Sequence, residues 1–265
     1  MTTLPRADGA TIRNTSPRST ERGGIDWLLA VAVLAFAATV VRAMAFTPVE
    51  ALQGPAQKIF YIHAPSAFVG LYVAFGLVAV SSALYLWLRD ERLDRVAAAS
   101  AEVGVVYTTV VLVTGPIWGK PVWGTWWTWD ARLTLTLFLW FVYVGYLILR
   151  GAVEDSATRA RYSAVLGILG ALLIPFIHLS VYLFRTLHPM PIVLKPDAPS
   201  LPPEMLATFL MALASMTLLY LALVRTRYRL GQLMDAMDDD AVETPDEARV
   251  GERSATATLR AEPVR

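Results

Sequence analysis

The sequence predicts an all-α integral membrane protein with six transmembrane helices. Three observations carry that prediction. Hydrophobic residues make up 55% of the 265-residue chain against 17% charged, with a mean hydropathy of +0.49. A water-facing globule of this size cannot hide so much apolar surface, whereas lipid accepts it. Six stretches reach the roughly 20 apolar residues that span a bilayer's hydrocarbon layer. No run of short alternating segments suggests a transmembrane barrel, so the backbone polar groups must bond within each segment, as they do in a helix.

The first span runs from Trp27 to Phe46. Its apolar stretch exceeds the roughly 7–15 residues of a secretory signal. Although Ala43-Met44-Ala45 resembles a cleavage triplet, the segment is read as a retained helix. The second span runs from Pro65 to Trp87, with Phe60 to Ala64 leading in, and the third from Val96 to about Trp118. The fourth covers Ala131 to Leu149, the fifth Tyr162 to Phe184 with Pro175 breaking it, and the sixth Glu204 to Val224. These spans form one domain over residues 26–230. The flanking segments, 1–25 and 231–265, are too poor in apolar residues to offset the entropy of ordering and are expected to be disordered tails.

Basic residues set the orientation. Arg6, Arg13, Arg18 and Arg22, then Arg89, Arg92 and Arg95, then Arg150, Arg159 and Arg161, then Arg225, Arg227 and Arg229 fall on one side. Only Arg42, Lys58, Lys120, Arg132, Arg185 and Lys195 fall on the other. Both termini are therefore expected in the cytoplasm, with the first, third and fifth connections outside. The net charge of +1 points to no nucleic-acid partner. The absence of cysteine excludes disulfides, thiolate metal sites and a cysteine nucleophile. No serine–histidine–acid grouping suggests a hydrolase.

Chemistry concentrates in the third connection, about residues 114–134. Five of the eight tryptophans lie there: Trp118, Trp123, Trp126, Trp127 and Trp129, interleaved with Gly115, Pro116, Gly119, Pro121 and Gly124. An interfacial tryptophan belt explains one or two such residues at a membrane boundary. Five within twelve positions, among helix-breaking residues that permit close approach, fit an aromatic platform for a large flat molecule.

Two of the three histidines, His63 at the start of the second span and His188 in the fifth connection, are expected at the same outer edge. A lone histidine at a membrane edge is commonly just solvated. Two imidazoles beside a tryptophan-rich segment, without thiolate or carboxylate partners, suit an iron whose other four ligands come from a porphyrin. A zinc site needs more protein ligands than this edge offers. Haem propionates need cations, and Lys58 and Arg132 are placed for that role, with Arg185 and Lys120 as weaker candidates; each is equally readable as a snorkelling side chain. Asp130 is able to orient a ligand, cap the fourth helix or pair with Arg132. His178, three residues after Pro175, reads best as a buried histidine bonded to a carbonyl freed by that proline, although a third or transit ligand is an open alternative. Glu102 reads as an acid reaching toward cytoplasmic water.

The run Trp123-Gly-Thr-Trp126-Trp127-Thr-Trp129-Asp130-Ala-Arg132 resembles the WWD signature of the haem-handling proteins of cytochrome c biogenesis. Together with Trp118-Gly-Lys-Pro, Ile62-His63-Ala-Pro65 and Thr186-Leu187-His188, it makes residues 25–230 most similar to the CcmC family, the haem exporter protein C family. The resemblance implies a haem-delivery protein of the bacterial inner membrane, not an enzyme. It implies haem b as non-covalent cargo at the outer face, His63 and His188 as axial ligands, and a tryptophan cradle. It also implies partners: the haem chaperone CcmE, the ABC-type subunits CcmA and CcmB, the small membrane protein CcmD, and membrane lipid. No G-x-x-x-x-G-K-[ST] loop is present, so nucleotide chemistry is left to the partners. The family pattern is departed from mildly at Lys58, where arginine would grip a propionate better, and in the acidic C-terminal segment, which the resemblance does not cover. The readings that compete with this one are a b-type electron-transfer cytochrome with His178 central, and a transporter that binds no haem.

Overall fold

The computed structural model describes residues 26–190, 192–193, 195 and 197–260. Segment 1–25, expected to be a tail, lies outside the described residues. Six helical rods are long and apolar enough to cross a membrane: Trp27–Phe46, Pro55–Leu88, Glu91–Trp123, Ala131–Ala152, Ser156–Leu183 and Pro203–Met237. No strand occurs among the described residues.

Helix α1 (Trp27–Val41) starts on Asp26, whose carboxylate accepts from the Leu28 and Leu29 amides, and ends in a π-helical turn, Arg42–Phe46. The second rod opens with a 3₁₀ turn at Pro55–Ile59. It continues as α2 (Phe60–Phe68), a π-helical stretch Val69–Ala74, and α3 (Phe75–Leu88). It begins about ten residues before Pro65, because a proline near the start of a helix forfeits only one hydrogen bond. Helix α4 (Glu91–Trp123) is capped by Asp90 and α5 (Ala131–Ala152) by Asp130. At 33 residues α4 is about 50 Å long, longer than the ~30 Å hydrocarbon layer is thick. The fifth rod breaks at Leu172 into α6 (Ser156–Ala171) and α7 (Leu173–Leu183), just ahead of Pro175 as its missing amide requires.

Helix α8 (Pro203–Arg260) passes residue 230, where the C-terminal tail is expected to begin. The helix runs through that position without a break. Asp235, placed in the expected tail, forms a 2.6 Å ion pair with Arg95 at the foot of α4. Composition alone carries no sign of that tertiary contact.

The helices pack as α3 against α4 and α6, α4 against α5 and α8, and α1 against α8. At the centre the rings of Phe75 and Tyr143 stack at 3.7 Å, and the Tyr143 hydroxyl donates to the Gly167 carbonyl. Buried interhelical bonds pin α8: Thr39 to Ser215, Thr47 to Thr208, Ser100 to Tyr220, and Tyr107 to the Met216 carbonyl. In lipid such bonds average only about 0.6 kcal/mol each, so they fix register more than they add stability.

The two ends of the bundle differ. One end collects ion pairs: bidentate Arg150–Asp94, Arg95–Asp235, Arg225–Asp26 and Arg227–Glu102. Glu102 therefore answers a cation on α8. The other end collects His63, His188 and the tryptophans.

Candidate functional site

The tryptophan segment is mostly helix. Of the connection expected over 114–134, only Gly124–Asp130 is non-helical, because α4 continues to Trp123 through both Pro116 and Pro121. Inside a membrane bundle neighbouring helices absorb such breaks. The helical geometry puts Thr114, Gly115 and Trp118 on one face, one turn apart, against α2.

His63 sits on the opposing face of α2, buried at 9% exposure. Its Nδ1 lies 2.9 Å from the Thr114 hydroxyl. Its imidazole meets the Trp118 ring edge-on at 5.6 Å. Gly115 leaves room for it, since a Cβ there would stand 3.3 Å from His63 Cε1. Trp118 is held in turn by its Nε1–H donating to Gln53 Oε1 at 3.0 Å.

Trp123 closes α4. Its ring folds back over Gly119, where a Cβ would lie 3.2 Å from ring carbon Cε3. It lies 6.4 Å from Trp118 and 5.6 Å from the His188 ring. Gly124 adopts a left-handed φ of 78°, which ends α4 and turns the chain into the loop. Trp127 lies partly buried, edge-on to Trp129, and its buried Nε1 has no partner among the described residues. Trp126 and Trp129 stand outward at 59% and 76% exposure.

Asp130 resolves its three readings. One carboxylate oxygen caps α5 by accepting from the Leu133 amide at 2.9 Å, and the other accepts from the Leu187 amide at 3.3 Å. The same side chain thus starts α5 and ties down the segment that carries His188. No ion pair joins it to Arg132 among the described residues. Thr186 completes the local turn, exchanging hydrogen bonds with the His188 backbone.

His63, Gly115, Trp118, Trp123, Trp127 and His188 line one cleft. His188 Nδ1 is buried there and has no partner among the described residues. Burial, then the positive field of Arg132, lowers the His188 pKa to about 4, so its imidazole is neutral and free to act as a ligand at physiological pH. Unfolded chain takes up this proton near the ordinary pKa of about 6.5 while the folded site does not, so stability falls as pH drops from about 6.5 toward 4. An NMR titration of the ligand-free protein is expected to place the His188 midpoint near pH 4.

The Arg132 side chain, in the first turn of α5, makes no hydrogen bond or ion pair among the described residues, and its half-buried guanidinium stays available. Lys58 is placed elsewhere, contrary to expectation. Its buried ammonium donates to the Ala43 carbonyl at 2.7 Å and to the Thr47 carbonyl, two acceptors left open where α1 ends. It lines a separate cavity between α1, α2 and α8. Lys58→Met is expected to lower stability by about 1–3 kcal/mol through the stranded carbonyls, without changing ligand binding at the cleft. Thermal melts paired with a binding titration check this. Lys120 is likewise committed, to the Gly124 carbonyl, and Arg185 is exposed.

His178 also differs from expectation. Its Nδ1 bonds the Tyr72 hydroxyl at 2.8 Å rather than a carbonyl freed by Pro175, with its ring against Tyr72 of the π-helical stretch Val69–Ala74. It does not line the cleft. Thr114, Gln53 and the Leu187 amide are site groups that the sequence reading does not single out, whereas Gly115 is among the residues it names as permitting close approach. The i, i+4 spacing from Thr114 to Trp118 is the one signal that points to Thr114.

Among the described residues no three His, Cys, Asp or Glu side chains converge as an all-protein metal site. The cleft instead offers two imidazoles flanking an aromatic bed. That arrangement suits a metal already held in the plane of a flat macrocycle.

The heme exporter protein C (CcmC) family matches residues 15–242. The chain is 37% identical over 202 residues to Heme exporter protein C of Haemophilus influenzae, covering 76% of this chain and 80% of that protein. It is 36% identical over 221 residues to Heme exporter protein C of Bradyrhizobium diazoefficiens, covering 80% and 83%. With the match spanning all six rods and the whole cleft, the chain belongs to the heme exporter protein C family.

Proposed function

We propose that this protein holds haem b at the outer face of the bacterial inner membrane during c-type cytochrome maturation and presents it to the haem chaperone CcmE. The observation that carries the reading is the meeting of His63 and His188, far apart in sequence, on either side of the Trp118–Trp123 pair in one cleft. Neutral imidazoles at both ends of an aromatic bed supply the axial ligands. The tryptophan rings stack on the macrocycle, and Arg132, whose side chain has no partner among the described residues, neutralises a propionate.

The basic residues at the ion-paired end support a cytoplasmic placement there, which puts the cleft outside. Trp126 and Trp129 project from its rim, where a chaperone is able to reach an exposed haem edge. The chain contains no cysteine, so haem is held by coordination and stacking alone and is free to leave. Handing over cargo needs no catalytic group from this chain. ATP-driven steps belong to CcmA and CcmB, with CcmD as a further membrane partner.

Deleting the encoding gene in its host tests the reading. Loss of c-type cytochromes, with the chaperone left haem-free, is expected; restoration should follow from the wild-type chain and fail with His63→Ala or His188→Ala. Normal c-type cytochrome levels in the deletion strain would overturn the proposal.

A further inference from the structure

We infer that the Thr114 hydroxyl sets the tautomer of His63, holding Nδ1 as N–H so that Nε2 presents its lone pair to the haem iron. The inference rests on the haem reading above and adds a positioning residue to it. Thr114 Oγ1 lies 2.7 Å from the Val110 carbonyl and 2.9 Å from His63 Nδ1. A hydroxyl carries one proton and a carbonyl has none to give. The short contact to Val110 is attractive only if the hydroxyl proton points there. Thr114 then turns only lone pairs toward His63, and Nδ1 must be the donor. A neutral imidazole protonated at Nδ1 is bare at Nε2, and among the described residues no group bonds Nε2.

The surroundings fix the ring as well as its proton. Gly115 faces Cε1, the carbon between the two nitrogens, and leaves room on that edge. Trp118 packs edge-on against the imidazole. The anchor is a helix residue whose own hydroxyl is tied back to its helix, so it does not swing with the loop. Among the described residues His188 has no such support at its Nδ1. The two imidazoles are therefore unequal, one oriented in advance and one not. Groups that orient a metal-bound histidine through its second nitrogen typically carry about 10–100-fold in affinity.

The test uses the full-length protein carrying Thr114→Val, which keeps the shape and removes the hydroxyl, and Thr114→Ser, which restores it. In haem-free wild type and Thr114→Ser, ¹⁵N NMR is expected to show His63 protonated at Nδ1; in Thr114→Val the Nε2–H form should appear. Haem titration should show about 10–100-fold weaker binding for Thr114→Val and near-wild-type binding for Thr114→Ser. An Nε2–H tautomer in the wild type would overturn the inference, as would Thr114→Val binding haem like the wild type or Thr114→Ser failing as badly as Thr114→Val. His63→Ala measured alongside separates the two levels. If it loses haem while Thr114→Val does not, only the positioning role fails; if it keeps haem unchanged, the ligand reading fails with it.

Discussion

Gly115→Leu is expected to abolish haem binding while leaving the bundle folded. A Cβ at this position already presses on His63 Cε1 at 3.3 Å, and the further carbons of leucine enter the cleft that the macrocycle must fill. The effect on the helix runs the other way, because replacing a mid-helix glycine removes a penalty of up to about 1 kcal/mol. Loss of ligand without loss of stability distinguishes occlusion from misfolding. Gly115→Ala should be intermediate, since His63 needs to yield only a few tenths of an ångström. Thermal melts of the haem-free protein beside haem titrations read both quantities. Full haem binding by Gly115→Leu would place the macrocycle elsewhere.

Asp130→Asn separates the two jobs of that carboxylate. The remaining amide oxygen is able to keep the cap on α5, but the amide nitrogen is a donor and meets the Leu187 N–H, also a donor. A hydrogen bond to a charged group contributes about 1.5–3 kcal/mol, so releasing the segment that bears His188 is expected to weaken haem binding about 10–100-fold with little change in melting temperature. Asp130→Ala loses the cap too and should cost about a further 1 kcal/mol of stability. Equal losses of stability in both variants would leave the tether without a role.

Much of this was legible in the sequence. The six spans follow from hydropathy, which is a local property. The pairing of His63 and His188 followed from the basic-residue asymmetry, which assigned both to one face, and from the scarcity of histidine. What stayed hidden was set by tertiary contacts. The tryptophan segment reads as a loop because of Pro116 and Pro121, yet α4 continues through both, and this places Trp118 and Trp123 on a rigid element. Lys58 reads as an outer-edge cation, but the end of α1 captures it with two carbonyls that local sequence does not advertise. His178 finds Tyr72, and Asp130 finds the Leu187 amide, across helices that no spacing rule connects. Past residue 230, Asp235 of α8 finds Arg95 on α4, whereas composition treats it as solvated.

The proposed function turns on His63 and His188 together ligating the haem iron. Electron paramagnetic resonance of the oxidised, haem-loaded protein reads that coordination. A low-spin bis-imidazole signal is expected in the wild type and in His178→Ala, replaced by a high-spin signal or by loss of haem in both His63→Ala and His188→Ala. An unchanged low-spin signal in either of those two variants rules out the bis-histidine site.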